Sequence, residues 1–226
     1  MSLDLYAKAE HLLGIEESTE KLHDIYLQTL EKYPVRTLLD IGCGRGALME
    51  KLGERGIACT GIDQSEVMVE AAAEKGLKVA KKGICEVDGT YDAAVAVFDV
   101  LNFLDKAGLE LFLQCVAQRL VPGGYFIADV NTLRGFTEVA QGTMSNEDDE
   151  HFLAVDAYFE ADELHTQFTL FTKTSPGCFA KEQSEIVQWF HPLKRFRSVP
   201  DLKLIREVKI SLYDTNDKTL LVFQRI

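Results

Sequence analysis

Basic side chains are scarce in this chain. Its 24 Lys and Arg stand against 36 Asp and Glu, a formal net charge of -12, and none falls between Arg134 and Lys173. Binding along phosphate backbones draws on clustered Lys and Arg, so a nucleic-acid partner is disfavoured, whereas a small or cationic ligand is compatible with this balance. Apolar runs of membrane length are missing, as is a charged-then-apolar leader, so no membrane partner is expected. The five cysteines (43, 59, 85, 115 and 178) contain no C-x-x-C pair. An odd, unspaced set fits a reducing compartment, with the cytoplasm as the natural location. It also argues against a structural zinc site, and no metal centre is expected. What is present is ordinary globular material, 46% hydrophobic and 27% charged over 226 residues. That is enough for one sizeable core and one domain carrying an insertion.

The most informative stretch is residues 35–52, VRTLLDIGCGRGALMEKL. Leu38, Leu39 and Ile41 read as a buried parallel strand, Gly42, Gly44 and Gly46 as a tight turn, and Ala47, Leu48 and Leu52 as the start of a helix. Such a junction lets a ligand approach bare backbone N–H groups. The dinucleotide fingerprint is G-x-G-x-x-G, but here the spacing is G-x-G-x-G, with Ala47 where the third glycine would stand. Asp40, two residues before Gly42, is a poor neighbour for a pyrophosphate and suits a ligand carrying positive charge. The block LLDIGCGRG resembles the first motif of class I S-adenosylmethionine (SAM) dependent methyltransferases, whose cofactor bears an ammonium and a sulfonium.

The resemblance implies an α/β fold: a three-layer sandwich on a Rossmann-like, mostly parallel seven-stranded sheet, closed by a C-terminal antiparallel hairpin. Residues 56–63 read as the second strand, ending in Asp63 about 17 residues beyond Gly46. An acid there accepts hydrogen bonds from both ribose hydroxyls, since one carboxylate offers two oxygens to a vicinal diol. Asp63 also reads as a helix N-cap, and both roles hold together if Ser65 is the cap. Asp63-Gln-Ser-Glu-Val-Met68 is similar to the family's D-x-S-x-x-M pattern, which places Gln64 and Met68 beside the adenine. The family commonly carries an Asp just after the glycine matching Gly83, where this chain has Ile84-Cys85. The adenine is then held by backbone and by packing on Ile84 and Cys85, or Glu86 or Asp88 substitutes. Residues 91–98 form the fourth strand, and because open α/β sheets bind ligands beyond their carboxyl ends, Phe98, Asp99 and Asn102 fall at the mouth of the site. The string Phe98-Asp-Val-Leu-Asn-Phe-Leu104 resembles a small-molecule subgroup. Asp99 reads either as a group orienting the methyl acceptor or as a helix cap. An amphipathic helix over 109–120, a turn at Val121-Pro-Gly-Gly124 and a fifth strand from Tyr125 follow. Asp129, Asn131 and Thr132 close that strand, one of them facing the substrate.

Four segments are expected: an N-terminal helical lid (1–34), a cofactor-binding core (35–133), a β-rich substrate insert (134–191), and a connector with the terminal hairpin (192–226). Tyr6 either reaches over the cofactor or packs on its neighbours. Residues 134–146 show no clear periodicity and read as a lid or an irregular helix. Period-two patterns at 152–159, 164–171 and 180–191 read as an antiparallel meander, which related enzymes place over the active-site mouth. Its acidic run from Glu147 to Glu163 is either a solvated face or a lure for a cationic amine. Tyr158 and His191 join Asp99 as candidate catalytic groups, with Glu185, His151 and His165 behind them. The resemblance implies methyl transfer from SAM to the nitrogen or oxygen of a small molecule, by in-line displacement at the sulfonium methyl. A base is needed only if the acceptor arrives protonated. The alternative is a SAM-binding protein without transfer activity.

Overall fold

The computed structural model describes residues 2–226. Two helices open the chain, α1 (Ser2–Ala9) and α2 (Glu16–Leu30), joined by a 3-10 turn at Glu10–Leu12. Alternation of strand and helix follows: β1 (Thr37–Ile41), α3 (Ala47–Glu54), β2 (Ala58–Asp63), α4 (Glu66–Glu74), β3 (Val79–Lys81), β4 (Tyr91–Ala96), α5 (Lys106–Gln118) and β5 (Leu120–Asn131). The remainder is β6 (Gly142–Glu147), β7 (His151–Glu160), β8 (Glu163–Ser175), β9 (Cys178–Trp189), β10 (Leu202–Ile210) and β11 (Lys218–Arg225).

Seven strands form one sheet in the order β10-β11-β5-β4-β1-β2-β3. The pairs from β3 to β5 are parallel, and β11 runs antiparallel to both β5 and β10. The central strands are buried on both faces: β1 is covered from Leu38 to Ile41 and β4 from Ala93 to Ala96. Helices must therefore flank the sheet. Tyr26, Leu48 and Leu52 of α2 and α3 pack on Leu38, Val95 and Ile127 on one side. Phe112 and Val116 of α5 pack with Leu39, Phe126 and Phe223 on the other. This is the three-layer, Rossmann-like arrangement expected from the sequence. Val121-Pro-Gly-Gly124, expected as a turn, lies inside the long β5, with Gly123 at φ 79° absorbing the bend.

A second, antiparallel sheet has the order β6-β7-β8-β9. Its three long strands match the expected meander. β6 was not expected, because all six of its residues are exposed and an edge strand of that kind shows no apolar alternation. Residues 135–140 form a π-helical turn, an irregular helix rather than a regular one. The buried face of the sheet, with Leu153, Val155, Phe168 and Ile186, receives Leu5, Ala9 and Leu12. A disulfide joins Cys85 to Cys115, which corrects the expectation of a fully reduced set. The pair lies 30 residues apart and forms only because the turn at Ile84–Glu86 packs on α5. Among the described residues no helix is long and apolar enough to cross a membrane.

Candidate functional site

The glycine turn after β1 is held by backbone geometry. Gly42, Gly44 and Gly46 all take positive φ (75°, 52° and 79°), a region that other residues occupy at a cost. A Cβ on Gly42 would stand 2.8 Å from Val100 Cγ2, so the turn can lie this close to the segment after β4 only without a side chain. Gly44 faces open space, its nearest neighbour being Met68 Sδ at 4.0 Å. Gly46 serves packing instead. A Cβ there would meet Leu77 Cδ1 at 2.2 Å, and the residue caps α3 rather than facing a ligand.

Asp63 stabilises the turn from the neighbouring strand. Its Oδ2 accepts the Gly44 N–H (2.9 Å) and its Oδ1 the Ser65 N–H (2.8 Å). Ser65, not Asp63, caps α4, accepting the Met68 N–H. Each Asp63 oxygen therefore keeps a lone pair for a hydroxyl donor. Asp40 is 2% exposed, and among the described residues no cation or hydrogen-bond donor reaches its carboxylate. Burial, with repulsion from Asp63, pushes its pKa up to about 7. A buried acid of this kind is under-compensated until a positive group arrives.

Both acids open into one cavity of about 1210 Å³. Gly42, Gly44, Gln64, Met68, Ile84 and Cys85 line its inner end, and Glu185, Ile186, Val187, Gln188 and Trp189 of β9 its other wall. Phe98 and Asp99 sit between the two. Both have positive φ (64° and 50°), and the buried Asp129 pins them, accepting Phe98 N–H at 2.8 Å and Asp99 N–H at 3.0 Å. Lys218 of β11 reaches both Asp99 and Asp129. Burial alone would push the Lys218 ammonium down, but the two carboxylates outweigh it and hold the group charged. The Tyr26 hydroxyl shares its proton between Asp129 Oδ1 (2.7 Å) and the Ala96 carbonyl (2.8 Å).

Asp99 makes no capping bond. Its Oδ2 accepts from Asn131 Nδ2 (3.1 Å) and Gln188 Nε2 (2.6 Å), so with Lys218 on Oδ1 its capacity is largely spent. Since a carboxylate only accepts, Gln188 must turn its NH2 toward Asp99, leaving Oε1 for another donor. Asn102 is fully buried and outside the cavity wall, donating to the Trp189 carbonyl and accepting the Asn131 N–H. Tyr158 is 53% exposed and stacks on His165 at 4.9 Å, outside the cavity wall. His191 also lies outside that wall, buried, and donates to the Leu104 carbonyl at 2.9 Å. Asp88, Asp129 and Thr132 are likewise absent from the wall. Glu185 is in it, with His165 Nδ1 2.9 Å from its Oε1, and Glu86 is too, though its carboxylate is taken by Gly83 N–H. Tyr6 lines the cavity and packs edge-on against Phe168.

Two wall residues carried no sequence signal. His23 of α2 is buried with Nδ1 unpartnered, and burial lowers its pKa. Arg45 within the glycine turn donates to the Ala7 carbonyl and to Glu10, tying the N-terminal helices over the cavity.

A parallel sheet with a glycine turn at its first strand, an acid closing the second and a cleft beyond the strand ends defines a Rossmann-like protein built around a nucleotide-type cofactor. Residues 38–124 match the family described as "Methyltransferase domain". Over that segment the chain is methyltransferase-like, in keeping with the resemblance carried by its glycine turn. It is 38% identical over 106 residues to the ubiquinone biosynthesis O-methyltransferase of Caulobacter vibrioides, covering 42% of this chain and 41% of that one. The chain spans about half the length, or less, of the curated relatives it matches first. Its fold is similar to a SAM-dependent methyltransferase from Clostridium acetobutylicum (TM-score 0.80, 19% identity, 98% and 99% of the two chains covered). It is also similar to SAM-bound CalS10, an amino pentose methyltransferase from Micromonospora echinaspora (TM-score 0.75, 17% identity, 98% and 97% covered).

Proposed function

We propose that the protein transfers a methyl group from SAM to the nitrogen or oxygen of a small molecule. The observation that carries this reading is the continuity of one cavity from Asp40 and Asp63 to β9. A protein that only bound the cofactor would need no second compartment. The cofactor, when bound, would supply an electrophilic sulfonium methyl, open to attack by an acceptor lone pair in line with the C–S bond that breaks, the thioether being the leaving group.

The chain's own groups have simple roles. Asp40 supplies the counter-charge for an ammonium, which its desolvated position makes favourable. Asp63 accepts from the two ribose hydroxyls while its other lone pairs hold the turn. Met68, Gln64, Ile84 and Cys85 enclose the adenine. On the acceptor side, Gln188 Oε1 takes a hydrogen bond from the acceptor, with Asp99 fixing the amide as a positioning residue. Glu185, backed by His165, takes the proton that a protonated acceptor must shed. Tyr6 and α1 exclude water, and holding the reactants together in a dry site supplies most of the rate enhancement. Glu10, Glu16, Glu20 and Glu185 in the wall outnumber Arg45, Lys75 and Lys82, and this favours an amine acceptor.

Calorimetric titration with SAM and with NAD, beside Asp63→Ala, is the test. Micromolar SAM binding that weakens about tenfold or more in the variant, roughly 1.4 kcal/mol, supports the assignment. Amines and phenols are then screened for demethylated cofactor. Folded protein that does not bind SAM rules the reading out.

A further inference from the structure

The 3-10 turn after α1 meets the β6–β7 turn at a cluster of three side chains, of which only His11 touches the cavity described above. His11 Nε2 lies 3.0 Å from Asp148 Oδ2, and His151 Nδ1 lies 3.0 Å from Asp148 Oδ1. One donor atom from each of the three lies within 4.8 Å of the others. Asp148 is rigidly presented: its Oδ1 accepts the backbone N–H groups of Glu150 (2.8 Å) and His151 (2.7 Å). The side chains are partly exposed, so an ion has a path in.

We propose that His11, Asp148 and His151 form a site for a borderline divalent transition cation of the Zn2+ class. Two imidazoles and a carboxylate suit such an ion and not Mg2+ or Ca2+, which prefer all-oxygen shells. Tetrahedral coordination with bonds of about 2.0–2.1 Å sets donors about 3.3–3.4 Å apart. The two His–Asp separations are already close to that edge, and only the two imidazoles must approach each other. A fourth position stays open to water. Glu147 and Asp149 flank the cluster, while the nearby Lys173 is occupied with Glu150, so the local field favours a cation. Asp148 and His151 are neighbours in sequence, but His11 is 137 residues from Asp148, and no ligand spacing announces the site.

Bound metal would fasten the N-terminal segment to the second sheet. A contact already lies beside it, Asn146 Nδ2 donating to the Leu12 carbonyl at 2.9 Å. His11 also belongs to the cavity wall. The ion therefore acts as a clasp on the cover of the cavity, and His11 loses its freedom to swing away.

The test uses tag-free protein stripped with a chelator, in a Cys178→Ser background that removes the one exposed free thiol. Titration with ZnCl2 is expected to show one ion per chain with micromolar or tighter affinity. His11→Ala, Asp148→Asn and His151→Ala should each weaken it about tenfold or more, and MgCl2 should give no binding. Hydrogen exchange over residues 2–13 should slow on Zn2+ addition in the parent and not in His151→Ala. A stoichiometry well below one, or an affinity indifferent to all three substitutions, overturns the site. Stoichiometric binding without protection of residues 2–13 overturns the clasp. Neither readout depends on methyl transfer.

Discussion

Asp40 makes its own pH signature. A folded-state pKa near 7 against an ordinary value of 3.8 means the folded protein keeps a proton that the unfolded chain has lost. Stability without ligand should therefore fall as pH rises from about 4 to about 7 and then level off. Cofactor affinity runs the other way. An ammonium needs the ionised carboxylate, so affinity should rise up to about tenfold per pH unit to about pH 7 and then flatten. Calorimetry at pH 6 in buffers of different ionisation enthalpy should report proton release, absent in Asp40→Asn; an unchanged pH slope in that variant removes Asp40 from the role. Lys218 gives a second residue-scale expectation. Lys218→Met leaves Asp99 and Asp129 buried without their cation, which should cost about 3–5 kcal/mol in urea unfolding. Glu185→Gln should lower kcat about a hundredfold with little change in KM for a protonated amine. An equal loss with an acceptor that arrives neutral would assign Glu185 to binding. Asp40 and Asp63 were readable as candidates because one stands two residues before the glycine turn and the other closes the next apolar strand. Gln188, Lys218 and His11 were not, since each acts on a partner 89, 119 or 137 positions away.

Among the elements, the short turn at Ile84–Glu86 stands out because the Cys85–Cys115 bond ties it to α5. Opening that bond should cost about 3–4 kcal/mol of stability for a loop of this size. It should also weaken cofactor binding severalfold by freeing the part of the cavity wall proposed to enclose the adenine. Urea titration and SAM calorimetry with and without reductant, beside Cys85→Ser/Cys115→Ser, check both effects; unchanged affinity on reduction would show that the turn is held by packing alone. The strands show where sequence reading stops. β1 and β4 were legible as apolar runs between turns. In β7 both alternating sets are largely apolar: Leu153, Val155 and Ala157 face in, while Phe152, Ala154 and Tyr158 lie on the other side. Pattern alone left the facing of Tyr158 open, and the structure turns it outward. His191 lies just beyond β9, where periodicity says nothing about direction. β6 carries no buried residue and offered no pattern at all.

At the scale of the molecule, the N-terminal helices bridge two bodies. Ser65 and Arg45 hold them to the cofactor side, through Asp4, Glu10 and the Ala7 carbonyl. Lys8 with Glu182 and His11 with Asp148 hold them to the second sheet. These contacts are the ones that lifting the cover would break, so gating is expected at the cover rather than at the glycine turn. Arg45→Ala should speed cofactor association and dissociation together, leaving Kd within about threefold, as stopped-flow fluorescence from Trp189 in the cavity wall would report. A rise in Kd driven by dissociation alone would make Arg45 a direct ligand contact.

The position of β11 has a consequence for how the chain comes to be made. This strand lies between β5 and β10, and its first residue brings the only described cation to the buried carboxylates of Asp99 and Asp129. On a ribosome adding roughly 5–20 residues per second, β5 emerges on the order of ten seconds before its partner. Throughout that interval the growing polypeptide carries an open sheet edge beside two acids with no counter-ion. Synthesis itself thus holds the mouth of the cavity unassembled until Lys218 has been added, and a chain stalled before that residue is expected to be a client for chaperones rather than a slow enzyme.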